Sequence, residues 1–186
     1  MKRSVSRGTF DVYEYHRMAE AGILTENDRV ELIEGEPTEM SPTGSRHAVC
    51  VDRLNRLLAR SVGDEVIVRV QSPVRLDDLS EPEPGVAILR HREDFYSEDH
   101  PGPEDVLLLI EAPDKSPEYD RTVKLPLYAR HGISEAWVVD LTSRAVEAYS
   151  EPVGDRYTAL TTKHIGQSIE PGTVSGLSFR VEDAFG

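Results

Sequence analysis

The stretch Asp105-Val-Leu-Leu-Leu-Ile-Glu-Ala112 is a continuous apolar run that closes on a carboxylate. A strand that is covered on both faces needs apolar side chains at successive positions, so this run predicts a central strand of a sheet. Gly85-Val-Ala-Ile-Leu-Arg90 predicts a short strand after two prolines, and Ala136-Trp-Val-Val-Asp140 predicts another buried strand. Because a carboxylate is costly to bury without a partner, Glu111 is a candidate metal ligand or catalytic residue, with helix capping or a salt bridge as the alternative.

Apolar residues at helical spacing precede and follow these strands. They predict a helix from near Ser45 that ends before Gly63. The segment Glu65–Leu76 alternates with period two, which predicts a strand with one exposed face. After the central strand, a further helix is expected to begin at Pro117 and to stop at Gly132, and Pro126 predicts a kink within it.

The two ends of the chain predict further elements. At the N-terminal end, Thr9 can cap a helix that runs to about Ala21, and Arg29–Met40 predicts a hairpin that turns at Gly35, before a break at Ser41-Pro-Thr-Gly44. The C-terminal part predicts a second hairpin and a last short strand; their sequences are Ala145–Tyr149, Tyr157–Leu160 with Gly154 in the turn, and Leu177, Phe179 and Val181.

The elements follow one another in the order α-β-β-β-α-β, preceded by a helix and a hairpin and followed by further strands. This order around a mixed sheet predicts an α/β (α+β) fold with a restriction-endonuclease-like core, although unrelated domains can produce the same coarse order. At 186 residues, of which 38% are hydrophobic, the chain can bury a substantial core, and one domain over residues 1–186 is expected.

Charge is unevenly distributed along the chain. The formal net charge is −13, which disfavours binding to a phosphate backbone through released counterions. Between Asp77 and Asp120 there are fourteen acidic residues against Arg90, Arg92 and Lys115, a balance of −11. This segment is interpreted as a solvated acidic face, with metal binding as the alternative.

The composition also bears on location and on sulfur chemistry. No apolar run reaches the roughly 20 residues of a membrane helix, and no signal-peptide pattern follows Met1-Lys-Arg-Ser4, so a cytoplasmic protein without membrane contact is expected. The single cysteine, Cys50, excludes an internal disulfide and a cysteine-built zinc site. It is predicted to be a buried small apolar side chain rather than a reactive thiol.

Several segments, taken in order, resemble the Uma-two family, which is usually labelled putative restriction endonuclease. They are Arg29–Glu36, Met40–His47, Val70–Leu76, Ser80–Ile88, Val106–Glu111, Asp120–Arg130 and Gly132–Asp140. The resemblance implies a PD-(D/E)XK-type nuclease site, in which an aspartate and a glutamate on neighbouring strands hold Mg²⁺ and a lysine assists the attacking water. Carboxylate-bound Mg²⁺, or Mn²⁺, supplies a Lewis acid and a water of lowered pKa.

The resemblance assigns residues to these roles and also exposes a departure. Glu111 matches the glutamate, and Lys124 takes the place of the usual lysine because Pro113 stands two residues after Glu111; the alternative for Lys124 is a surface pair with Asp120. The aspartate position is Gly85, which offers no ligand. Glu83, two residues earlier and between two prolines, is the candidate substitute for this metal ligand.

Other residues have weaker assignments. His47, Glu34 and Gln71 match family positions that tend to face the site, although a lone histidine at a helix start is often structural. Glu81 is interpreted as a solvated loop charge, and Trp137 and Tyr128 as core residues. The remaining histidines lack metal-ligand spacing and are interpreted as surface residues; they are His16, His91, His100, His131 and His164.

Two functions therefore stay open at this point. The first is a Mg²⁺-dependent endonuclease that acts on nucleic acid through Glu111 and Lys124. The second is a catalytically impaired binding or regulatory module that has lost the ligand at Gly85, with a homodimer as one arrangement for it. Gly-rich phosphate loops and Gly-x-Ser-x-Gly elbows do not occur in the sequence, which sets aside several other enzyme classes.

Overall fold

The predicted strands join in a six-stranded mixed sheet in the computed structural model, which describes residues 8–25, 28–41, 44–113 and 117–185. Its strands, in order across the sheet, are β3 (Val66–Val70), β4 (Val86–Arg90), β5 (Val106–Glu111), β6 (Glu135–Asp140), β7 (Ala145–Val153) and β8 (Arg156–His164). β5 and β6 are parallel, whereas the other neighbouring pairs are antiparallel. Met1–Ser4, Pro42 and Thr43, named above, lie outside the described residues.

The helices complete the predicted order. They are α1 (Val12–Glu20), α2 (Ser45–Ser61), α3 (Leu125–Arg130) and α4 (Val181–Phe185), and a two-stranded hairpin, β1 (Val30–Ile33) and β2 (Glu36–Glu39), lies between α1 and α2. The core order α2-β3-β4-β5-α3-β6 confirms the predicted α-β-β-β-α-β arrangement. A parallel pair needs a crossover connection, and α3 lies in the connection between β5 and β6.

Two apolar clusters cover the two faces of the sheet, which is why β4 and β5 are apolar at successive positions. Ile88 and Leu108 pack with Leu54 of α2 in the first cluster. Leu89 and Leu109 point to the other face and form the second cluster with α3 and β1. At about 25 cal/mol per Å² of buried apolar surface, this two-sided burial is the main favourable contribution to folding.

Some local predictions are wrong at their ends. Asp11, not Thr9, caps α1, because its carboxylate accepts from the Glu14 amide and the Glu14 carboxylate accepts from the Asp11 amide. The strand expected over Glu65–Leu76 ends at Val70, and its second face is not simply exposed, because Ile67 packs into the second cluster.

The C-terminal strand is also shorter than expected. β10 (Phe179–Arg180) pairs with β9 (Ser168–Ile169), and Val181 already belongs to α4. The irregularity expected at Pro126 takes the form of a π-helical turn, Asp120–Lys124, directly before α3. Proline has no amide hydrogen for the helical ladder, and single π-turns of this kind often occur at functional sites.

Candidate active site

A cavity of about 510 Å³ opens where β4 begins and β5 ends. The hairpin, the first turn of α2 and the π-helical turn supply other parts of its wall. The polar side chains of its lining include Arg29, Glu31, Glu39, Ser41, His47, Gln71, Glu83, Glu111, Glu118, Tyr119, Asp120 and Lys124. One cavity therefore brings together five residues that are distant in the chain: Glu111, Lys124, Glu83, His47 and Gln71.

Lys124 lies between two buried carboxylates. Its ammonium nitrogen is 2.9 Å from Glu31 Oε2 and 3.2 Å from Glu111 Oε1. Lys124 is only 4% exposed, so it is not the surface partner of Asp120 that the sequence left as an alternative. An ion pair this deeply buried loses much hydration, and its groups must satisfy one another.

Two further donors hold these carboxylates in place. The Tyr128 hydroxyl donates to Glu111 Oε1 at 2.5 Å, and the Glu83 amide donates to Glu31 Oε2 at 3.0 Å. Tyr128 is fully buried, as expected of a core residue, but its hydroxyl orients the glutamate at the end of β5. The side chains of Glu111 and Glu31 are thus fixed before any ligand arrives.

We call Glu31, Glu83, Glu111 and Asp120 the pocket carboxylates. Burial raises the pKa of Glu111 and of Glu83. Burial and then the charge of Glu111 raise the pKa of Asp120 to about 7. Burial alone would lower the pKa of Lys124, but the charges of Glu111 and Glu31 overcome it and raise that pKa. The pocket therefore carries more negative charge than Lys124 balances.

Gly85 lies directly opposite Glu111. The antiparallel register pairs Val86 with Ile110, and one step further along both strands aligns Gly85 with Glu111. A Cβ at Gly85 would lie 3.1 Å from the carbonyl oxygen of Ile110 and 3.6 Å from the Ala112 nitrogen. Opposed residues on an antiparallel pair have Cβ atoms roughly 5 Å apart, so side chains at these two positions could share one ion.

His47 and Gln71 join the two strand ends on which Gly85 and Glu111 lie. His47 Nδ1 donates to the carbonyl of Ala112 at 2.5 Å, and the Gln71 amide nitrogen lies 3.1 Å from His47 Nε2. Because a carbonyl only accepts, Nδ1 is the donor in the first contact, and the Gln71 side chain holds the other ring nitrogen. The backbone amide of Gln71 also donates to the carbonyl of Gly85 at 3.1 Å.

Other sequence-based assignments do not join the cavity. The Glu34 carboxylate is 57% exposed and is bound by Arg130 instead, outside the cavity lining. Glu81 is only 3% exposed, so its interpretation as a solvated loop charge is wrong. His16 and His100 are exposed, as expected of surface residues, and both lie beside Glu81.

Glu31 is the main residue that the sequence analysis missed. The family resemblance singles out Glu34 of the same segment instead, because Glu34 matches a family position that tends to face the site. The alternation of Val30, Glu31 and Leu32 predicts a strand but does not tell which face meets the cavity. Only the bridge from Leu32 to Glu81 shows that this edge of the hairpin packs beside the segment before β4.

The comparisons with known proteins agree with this architecture. The family model described as "Uma2: Putative restriction endonuclease" matches residues 12–182. A solved structure of "a putative nuclease belonging to DUF820" from Anabaena variabilis is similar with a TM-score of 0.69, at 16% identity over 95% of this chain and 97% of that one. A search of curated proteins finds no match. Within the described residues, no helix has the length and apolar character to cross a membrane.

Proposed function

The chain belongs to the Uma2 family, described as "putative restriction endonuclease", and we propose that its cavity hydrolyses nucleic-acid phosphodiester bonds with a bound Mg²⁺ or Mn²⁺ ion. The pocket carboxylates around Lys124 are the observation that carries this proposal. With Glu39 and Glu118, six carboxylates line the cavity against Arg29 and Lys124, which leaves a charge of −4 when all are ionised. A divalent cation would offset half of that charge.

The donor set suits a hard divalent cation. Glu111 and Glu83 would hold it through carboxylate oxygens, the ligands that Mg²⁺ and Mn²⁺ prefer. The ion supplies a Lewis acid for the phosphate and a bound water of lowered pKa. The raised pKa values of Glu111, Glu83 and Asp120 come first from burial and then from neighbouring carboxylates, and carboxylates perturbed in this way are common at functional sites, which supports the assignment.

The chain's own residues have separate tasks in this proposal. Lys124, held charged by Glu31 and Glu111, orients the attacking water and stabilises the negative charge that develops on phosphate. Tyr128 holds the Glu111 carboxylate by its hydrogen bond. His47 and Gln71 hold the ends of β4 and β5 together and thereby position the ligands. Such outer partners typically contribute about 10- to 100-fold to metal affinity or activity.

A specific observation favours the second candidate, a catalytically impaired module. Gly85 presents no side chain opposite Glu111. In the described ranges of the chain, the pocket carboxylates also do not bring three ligand atoms within 4.8 Å of one another. On this hypothesis Lys124 neutralises Glu31 and Glu111 permanently, and the fold serves binding or regulation.

Metal binding and cleavage separate the two candidates. Mg²⁺ and Mn²⁺ binding would be measured by calorimetry, and nicking of plasmid and single-stranded substrates would be followed for the unmodified protein, G85D and E111Q. E34Q is the matched control, because it makes the same change at a glutamate outside the cavity. Cleavage by the unmodified protein that E111Q abolishes and E34Q retains supports the nuclease. Metal binding and cleavage by G85D alone support the impaired module.

The acidic surface bears on the partner of this site. A net charge of −13 repels a polyanion unless bound cations or a second subunit offset it. We therefore propose that DNA association depends on the divalent ion, and a homodimer stays a prediction. Light scattering with and without Mg²⁺ and a short duplex measures both the oligomeric state and binding. A monomer that binds DNA equally well in chelator contradicts both the metal-dependent association and the homodimer.

A further inference from the structure

A second cluster of metal-binding residue types lies outside the lining of the cavity. His16 comes from α1, Glu81 from the segment before β4, and His100 from the loop before β5. One ligand atom from each lies within 4.8 Å of the others. His16 Nε2 is 2.7 Å from Glu81 Oε1, and the two imidazole centroids are 6.0 Å apart at an interplanar angle of 76°.

The Glu81 carboxylate is the unusual member of this cluster. Glu81 is only 3% exposed, and its Oε2 has no hydrogen-bond partner among the described residues. Its position is fixed, because the Glu81 amide donates to the Leu32 carbonyl at 2.8 Å. A buried carboxylate oxygen without a partner requires an explanation, and a bound ion is one of the few that the chemistry offers.

We propose that His16, Glu81 and His100 bind a divalent transition-metal ion of the Zn²⁺ class. Two imidazole nitrogens and one carboxylate oxygen form a ligand set that Zn²⁺ accepts and that Mg²⁺, which prefers oxygen, does not. With three protein ligands, the fourth tetrahedral position is left to water. This site does not rest on the nuclease proposal and differs from the cavity in its ligands and its metal.

Small side-chain rotations are sufficient to form the site. Ligand bonds of about 2.0 to 2.1 Å place tetrahedral ligand atoms roughly 3.4 Å apart, so the cluster must contract from within 4.8 Å. The side chain of His16 is 44% exposed and His100 is exposed, so both imidazoles can turn toward Glu81. Glu81 itself has little freedom, which pre-organises the site around its carboxylate.

The location gives the ion a structural consequence. It would tie α1 and the loop before β5 to the segment that continues through Pro82 into Glu83. The Glu83 amide in turn donates to Glu31 in the cavity wall. An ion at Glu81 therefore holds the edge of the cavity in place, without itself contacting the pocket carboxylates.

Cobalt spectroscopy tests this proposal on the full-length chain. The protein is stripped of metal, titrated with Co²⁺ while visible absorption is recorded, and then titrated with Zn²⁺ by calorimetry. We expect one Co²⁺ per chain with the intense visible bands of a four-coordinate ion, displacement by Zn²⁺, and a higher midpoint of thermal unfolding with Zn²⁺ bound. E81Q and H100N each remove a direct ligand and are expected to weaken Zn²⁺ binding by more than about 100-fold, the upper end of what loss of an outer-shell partner costs.

Matched variants identify the binding site. H164N changes a histidine of β8 outside the cluster, and E111Q removes a pocket carboxylate; both are expected to keep the Co²⁺ spectrum. H100N changes an exposed loop residue, so it tests the site without removing a core contact. Absence of Co²⁺ binding overturns the proposal, as does a Co²⁺ signal that persists in E81Q and H100N or that disappears only in E111Q. A simple His16–Glu81 ion pair without a metal site predicts no Co²⁺ bands in the unmodified protein or in any variant.

Discussion

Replacement of Gly85 by aspartate tests whether the cavity lacks only one ligand. Gly85 faces Glu111 across the β4–β5 pair, and the Cβ of an aspartate at this position would lie 3.1 Å from the Ile110 carbonyl oxygen. This contact is a few tenths of an ångström too close. The new carboxylate would also enter a cavity that already carries excess negative charge. G85D is therefore expected to destabilise the metal-free protein for two separable reasons.

The sizes of the steric and the electrostatic destabilisation follow from the geometry. The steric part should be about 1 kcal/mol, the lower end of the usual overpacking cost, because a single contact is tight. Two carboxylates roughly 5 Å apart repel each other by about 3 kcal/mol at an effective dielectric constant of 20. G85D should thus lose about 4 kcal/mol in chelator, whereas G85A and G85N, which lack the charge, should lose about 1 kcal/mol.

Magnesium should reverse the electrostatic part alone. An ion at 100 times its Kd stabilises the folded state by about 2.7 kcal/mol. Urea unfolding of the unmodified protein, G85A, G85N and G85D at pH 8, in EDTA and in Mg²⁺, measures each contribution. If G85D and G85N lose the same stability in EDTA, or if Mg²⁺ fails to restore G85D selectively, the assignment of Gly85 as the missing ligand position is refuted.

Four further predictions concern the buried groups. K124M leaves Glu31 and Glu111 without their cation and should lower the free energy of unfolding by about 3 to 5 kcal/mol. The control K163M, on β8, should change it by less than about 0.5 kcal/mol. Equal urea midpoints for the two variants would contradict the buried ion pair of Lys124 with Glu31 and Glu111. Y128F removes a donor to a charged acceptor and should cost about 1 to 3 kcal/mol by the same assay, more than Y157F, whose hydroxyl donates to a backbone carbonyl. The pKa of Asp120 in the folded state is about 7, above its ordinary 3.8, so its contribution to stability is complete below about pH 4 and is lost as the pH rises to about 7. Without metal, the free energy of unfolding of D120N should therefore rise by up to about 4 kcal/mol relative to that of the unmodified protein between pH 4 and 8. Parallel pH profiles of the two proteins would exclude this explanation. Burial raises the pKa of the Cys50 thiol to about 12, so Ellman's reagent at pH 8 should label it only after unfolding, and rapid labelling of the native protein would show an accessible thiolate.

The sequence determines the order and type of the main elements because their signals are local. The apolar run Val106–Ile110 can be satisfied only where both faces of a strand are covered, and two clusters do cover β5. Glycines with positive φ end or turn elements as predicted, as Gly35 does in the hairpin and Gly154 between β7 and β8. The errors at Thr9 and Val181 concern element ends, which local patterns specify least well, and at the first of them the capping hydrogen bonds of Asp11 set the boundary.

The tertiary structure alone decides which charged groups meet. Glu31 lies 80 residues before Glu111 in the chain, yet both contact Lys124. His16, Glu81 and His100 show no metal-ligand spacing in sequence, and they come together only because α1 and two loops converge. Local periodicity reports which face of an element is apolar, whereas the meeting of polar side chains depends on how the faces of separate elements pack. Glu111 and Gly85 could be singled out in the sequence, but their direct opposition across β4 and β5 follows from strand register.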